Sequence, residues 1–213
     1  ADYAKQREGA AVGDRIIQER VDHRAEGDAI VGRRGERRGV GEADARQDSD
    51  HLVSDGVRHT RALTNARGFA ADAATPEAAE RAVAMFDRLN ALYHVAGGSG
   101  RSQGDGPLHE MTDDGLDYTL DLNLKSVVLS NRAAVRKFIQ QGTGGVILNM
   151  ASVLGYSPSP KFFASHAYAA AKAGIIGFSK SIAAYYAPQN IRVNVIAPAL
   201  VETPMSKRAA TND

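Results

Sequence analysis

From Leu92 to Ile196 the chain carries three short apolar runs: Leu92-Tyr93-His94-Val95-Ala96, Val146-Ile147-Leu148-Asn149-Met150 and Ile191-Arg192-Val193-Asn194-Val195-Ile196. The first ends at Gly97-Gly98, and the last is closed by Pro198. Helical segments separate them. Thr112-Asp113-Asp114 opens one, which runs through Leu124 and Val128 towards Gln141, where Gly142 and Gly144-Gly145 stop it. An alanine-rich segment from about Ser165 to Tyr186 is the next. Upstream, Thr75-Pro76-Glu77 combines a hydroxyl cap, a proline at the first helical position and an acid in the first turn. Ala78, Ala79, Ala82, Val83 and Phe86 recur behind it at helical spacing. Strand alternating with helix is the pattern of an α/β parallel sheet with helical crossovers. No internal repeat is visible.

That pattern stops near residue 67. Residues 1–67 hold 12 of the 19 arginines, one of the 7 lysines, 13 of the 25 acidic residues and a single aromatic, Tyr3. Their longest apolar runs are scraps such as Ile16-Ile17 and Ala29-Ile30-Val31, with neither strand alternation nor a helical stripe. Such a segment buries too little apolar surface to offset chain entropy, so residues 1–67 are expected to be weakly ordered. Residues 68–213 then form the organised part of a single domain.

The 213 residues suffice for one domain with a core. A formal net charge of +1 gives no reason to expect nucleic acid or an anionic membrane as partner. The absence of cysteine excludes disulfides, thiolate nucleophiles and zinc–thiolate sites. His109 and His166 have no partners at metal-ligand spacing, so no metal is expected. No apolar run approaches the roughly 18 residues of a membrane span. Ala1 to Gly13 lacks the apolar core of a secretory signal, and a cytoplasmic location is the expectation.

Chemistry concentrates in four places. Tyr168-Ala169-Ala170-Ala171-Lys172 sets a phenol and an ammonium on one helix face, and a nearby cation lowers a phenol's pKa. A tyrosine so tuned exchanges a proton with an alcohol or carbonyl near neutral pH. Ser152 follows the run Val146–Met150, at the C-terminal end of a parallel strand, where open α/β sheets put their ligands. Its hydroxyl can donate to a carbonyl oxygen as charge develops there. Asn123 sits inside a helix, where asparagine is an indifferent former and needs a reason. The loop Pro198-Ala199-Leu200-Val201-Glu202-Thr203 offers backbone groups and a hydroxyl to an amide-bearing ligand.

In this order the segments resemble the short-chain dehydrogenase/reductase family, from about Gly68 to Met205. The resemblance implies a Rossmann-like doubly wound parallel sheet, incomplete at both ends here. It implies catalytic roles for Asn123, Ser152, Tyr168 and Lys172, and an NAD or NADP cofactor. Cofactor contacts then fall on Asp72, Ala96, Gly97, Tyr168, Lys172, Pro198, Val201 and Thr203. The implied activity is hydride transfer to or from a secondary alcohol or ketone. Tyr168 is the acid/base, and Lys172 lowers its pKa and holds the nicotinamide ribose. Ser152 polarises the carbonyl, and Asn123 holds a water in a relay towards Lys172. Family members commonly form dimers or tetramers through their two long helices, for which Ala173-Gly174 and Gly177 permit close approach.

Other features depart from the family pattern. His94-Val95 stands where it usually has an asparagine pair, and His94 reads as a strand-end residue hydrogen-bonded locally. The nearest string to its glycine-rich phosphate loop, Glu8-Gly9-Ala10-Ala11-Val12-Gly13-Asp14-Arg15, lacks the threonine and the last glycine, and Asp14 repels phosphate. Arg33, Arg34, Arg37 and Arg38 read as a solvated charge run. The chain stops soon after Thr203, short of the family's lid and last strand. The alternative is therefore a catalytically dead, truncated or frameshifted relative without a working cofactor site.

Overall fold

The computed structural model describes residues 69, 71–158, 160 and 163–201, together with the backbone of residues 16–19. The Gly9–Asp14 string, the arginine run and Thr203 lie outside the described residues.

Strands β1 (Ile16–Glu19), β2 (Ala91–His94), β3 (Gly145–Met150) and β4 (Ile191–Ile196) form one sheet in the order β1-β2-β3-β4. Every pairing is parallel, with Ile17 opposite Leu92, Leu92 opposite Ile147 and Ile147 opposite Val193. This is the α/β parallel arrangement that the alternating segments predict. β1 is a correction, because no strand was expected before residue 67. A strand this short is held by backbone pairing with its neighbour, and four residues leave no alternation to detect.

The helices are α1 (Pro76–Ala84), α2 (Asp113–Leu120), α3 (Ser126–Gln141) and α4 (His166–Tyr186). Thr112 caps α2 by accepting the Gly115 N–H at 3.0 Å. Thr75 does not cap α1 as expected. Its hydroxyl donates to the Asp72 carbonyl at 2.8 Å, a turn contact that competes with capping. α2 runs into α3 through a π-helical turn, Asp121–Lys125, in which the Ser126 N–H reaches back five residues to Asp121 O. Gly142, at φ 67°, ends α3 in the left-handed conformation that glycine adopts most readily.

α3 and α4 are crossovers between adjacent parallel strands, and the right-handed rule places both on the same face. Phe138 from α3, Leu92 from β2, Ile147 from β3 and Ile191 from β4 form the main core cluster with Leu89, Ala134 and Val135. The asparagines inside this core are paired. Asn131 and Asn149 exchange reciprocal amide bonds of 2.8 and 3.0 Å, and Asn149 also donates to Ser179 Oγ at 2.9 Å. This network ties β3 to both helices one residue before Met150, and so fixes the strand end from which the site is built.

Candidate active site

The C-terminal ends of the parallel strands bring the singled-out residues together. Gly97 follows β2, Ser152 follows β3 and Pro198 follows β4. The Val153 N–H donates to Pro198 O at 2.9 Å, which joins the loop after β4 to the turn holding Ser152. The Ser152 hydroxyl accepts the Leu154 N–H at 3.2 Å and lies near enough to the Tyr168 phenol to lower its pKa.

Tyr168 lies in the first turn of α4, with Lys172 one turn later. The Lys172 ammonium stands 5.4 Å from the centre of the Tyr168 ring. It is buried, and Nζ donates to Met150 O at 3.0 Å. Burial disfavours its charged form and lowers its pKa to about 8. The Tyr168 phenol moves the other way. Burial raises it above its ordinary value, and the nearby Ser152 hydroxyl pulls it partly back. The expectation that Lys172 depresses the phenol is thus corrected: helical spacing delivers proximity, but Nζ turns to the strand carbonyl, and desolvation dominates the phenol.

Asn123 lies within the π-helical turn and is fully buried. Its Nδ2 donates to Thr119 O at 2.9 Å and to Gly98 O at 3.0 Å, while Oδ1 accepts the Gly98 N–H at 3.1 Å. The side chain therefore staples the loop after β2 to the helix. This is the reason that a mid-helix asparagine required, and π-helical turns recur at functional sites. Gly97 lies between the groups. A Cβ placed there would sit 2.8 Å from Asn123 Oδ1 and 3.2 Å from Lys172 Nζ.

The remaining sequence candidates divide. Ala96 is buried in a cluster with Phe69, Ala73 and Ala78, which seats the Asp72 turn beneath the β2 end. Asp72 Oδ1 accepts the Ala74 N–H at 2.9 Å. Val201 is exposed. His94 is a buried strand-end group, with Nδ1 2.7 Å from Ser130 Oγ and Nε2 3.1 Å from Ala96 O, as the sequence reading held. Among the described residues no cluster of His, Cys, Asp or Glu fits a metal ion. One residue escaped the sequence reading. Asp105, in the segment after β2, is buried, and both its oxygens accept N–H groups from the start of α4. Its partners lie more than sixty residues away, so no local pattern points to them.

Fold and site define an α/β protein of the Rossmann-like class, with a serine, a tyrosine and a buried lysine gathered at the strand ends. The chain belongs to the short-chain dehydrogenase family, whose pattern matches residues 43–213. It is similar to short-chain dehydrogenase/reductase ABA4 of Pyricularia oryzae, with 37% identity over 127 residues, covering 59% of this chain and 45% of the relative. It is also similar to 2-dehydro-3-deoxy-D-gluconate 5-dehydrogenase of Escherichia coli, with 35% identity over 128 residues, covering 60% of this chain and 48% of that enzyme. Among solved structures, acetoin dehydrogenase from Enterobacter cloacae superposes with a TM-score of 0.63 at 28% identity, covering 84% of this chain and 66% of that one. The chain thus spans about half the length of these curated relatives. The fold is the Rossmann-like doubly wound parallel sheet of that family. Among the described residues, no helix is long and apolar enough to cross a membrane.

Proposed function

We propose that this chain is an oxidoreductase that moves a hydride between a nicotinamide cofactor, NAD or NADP, and a secondary alcohol or ketone. The observation that carries the reading is the gathering of Ser152, Tyr168 and Lys172 at the strand ends, with the buried Lys172 ammonium 5.4 Å from the centre of the Tyr168 ring and bonded to Met150 O. The residues fit the nicotinamide ribose. Lys172 gives one of its three donors to Met150 O, and the side-chain-free Gly97 leaves its approach open. Lys172 and Tyr168 would hold the ribose, with Ala96 and Gly97 beside it, Asp72 towards the adenine and Pro198, Val201 and Thr203 towards the carboxamide. When bound, the nicotinamide supplies or accepts the hydride.

The chain's own groups handle the proton. With its pKa raised, Tyr168 is protonated at neutral pH and donates to the carbonyl oxygen as negative charge develops there. Ser152 donates a hydrogen bond to the same oxygen. Lys172, with its pKa lowered to about 8, resupplies the proton. Asn123 has spent both amide donors, so a relay water would be held by the second lone pair of Oδ1. The proposed substrate is a small-molecule alcohol or ketone, and the proposed setting is the cytoplasm. A second copy is proposed to pack on the long helices. Ala173 and Gly177 are exposed for it, whereas Gly174 packs on Leu124 of its own chain.

The test is binding of NADH and NADPH to the purified chain, followed by ketone reduction. Tyr168→Phe is expected to lower kcat by about 100- to 10,000-fold while the dinucleotide still binds. A folded chain that binds neither dinucleotide, or a Phe variant as active as its parent, overturns the reading.

A further inference from the structure

We infer that Asp105 is a positioning residue that sets Tyr168 against Ser152 and Asn123; its catalytic meaning rests on the function proposed above. The carboxylate is only 2% exposed. Oδ1 accepts the Ala167 N–H at 3.1 Å, and Oδ2 accepts the N–H of Tyr168 itself at 3.0 Å. These are orphan donors at a helix start, where the macrodipole also favours a negative charge. The residue in the ordinary capping place, Ser165, makes no side-chain cap. Asp105 therefore caps α4 from a distant part of the chain, through charge-assisted bonds to the backbone of the proposed acid/base.

The other side of Asp105 is bolted to the helix that leads to Asn123. Its N–H donates to Gly100 O at 3.0 Å, and the Thr112 N–H donates to Gly104 O at 3.1 Å. Gly104 holds a φ of 101°. α2 packs backbone against backbone on this turn. A Cβ on Gly115 would sit 2.3 Å from the Gly104 carbonyl carbon and 2.6 Å from Asp105 N. Gly100 presses equally close on Thr119, whose carbonyl accepts from Asn123 Nδ2. One rigid turn thus touches the Asn123 helix on one side and the Tyr168 amide on the other. The Asp105 carboxylate links the turn beside Asn123 to the backbone of Tyr168, alongside the packing of Gly174 on Leu124.

Asp105→Asn keeps the size, retains one acceptor and sets an amide N–H against a helix N–H. It is expected to lower kcat about 10- to 100-fold while the KM for cofactor changes less than about threefold, the signature of a misplaced group. A second measurement needs no turnover. With tyrosines carrying carbon-13 at Cζ and the Tyr168 signal assigned through Tyr168→Phe, Ser152→Ala moves that signal in the parent chain. In the Asp105→Asn chain the same Ser152→Ala change is expected to move it less than half as far. Equal displacement in both chains overturns the proposal, as does a kcat equal to the parent's in an active enzyme. If the parent neither binds a nicotinamide nor turns over a ketone, the functional reading fails and the NMR comparison still decides the role of Asp105. Asp105→Ser, which keeps a capping oxygen on a shorter arm, takes the place of Asp105→Asn should the latter not fold.

Discussion

Replacing Lys172 by methionine should make the protein more stable and, on the proposed function, inactive. The ammonium is buried with one strand carbonyl as its hydrogen-bond partner, and its pKa falls from 10.5 to about 8. At 1.36 kcal/mol per unit, that shift corresponds to about 3 kcal/mol of destabilisation when the group is charged in both states. Methionine fills a similar volume without the charge, but it leaves Met150 O without its donor, at a cost of about 1 kcal/mol. The net expectation is a gain of about 2 kcal/mol at neutral pH, large against a total of roughly 5–15 kcal/mol for a domain.

The pH dependence carries a definite sign. Between about 8 and 10.5 the unfolded lysine still holds its proton while the folded one has lost it. The unfolded state binds more protons in that window, so this group makes stability rise with pH there, and its penalty is complete below about 8. Urea unfolding of both chains across this range, read as the difference between them, isolates Lys172 from every other titrating group. The advantage of the methionine chain should shrink steadily as pH rises through the window. A methionine chain less stable than its parent at neutral pH, or a difference that does not change with pH, would refute the reasoning.

Gly97→Ala places a methyl group 2.8 Å from Asn123 Oδ1 and 3.2 Å from Lys172 Nζ. Overpacking of this kind costs about 1–3 kcal/mol and should weaken nicotinamide binding, measured by urea unfolding and fluorescence titration. Asn149→Ala strips partners from Asn131 and Ser179 in the core. It should cost about 3 kcal/mol, since buried polar groups left unpaired cost roughly 1–3 kcal/mol each; a loss no larger than that of an exposed substitution would contradict the network.

Where one periodicity ran long enough, the sequence was legible. β4 and α4 stand almost where their runs of apolar residues and alanines put them. The proposed catalytic cluster was legible for a related reason: Tyr168 and Lys172 are fixed by helical spacing, and Ser152 by its place after a strand. β1 escaped because four residues held by a neighbour's backbone leave no pattern of their own. Asp105 escaped because its partners are distant in the chain, and an aspartate between two glycines looks like any turn. The direction of the Lys172 side chain escaped because spacing determines which groups are neighbours but not which acceptor an ammonium chooses. The π-helical turn was hidden because the apolar spacing of α2 and α3 reads as one helix.

That turn makes the chain more sensitive to deletion than to substitution. A five-residue turn holds one residue more than regular α geometry would use, and each residue rotates a helix by about 100°. Losing any one of Asp121 to Lys125 would let the hydrogen bonds regularise, an improvement judged by the helix alone. Because the wide turn absorbs its extra residue locally, α2 and α3 would keep their relation, while the residues of the turn itself, Asn123 among them, would be displaced by up to about 100° about the helix axis. A shortened chain could keep every proposed catalytic side chain and still have Asn123 face a different direction. Alignments and engineered libraries for this segment should therefore hold its length constant before they consider which residues occupy it.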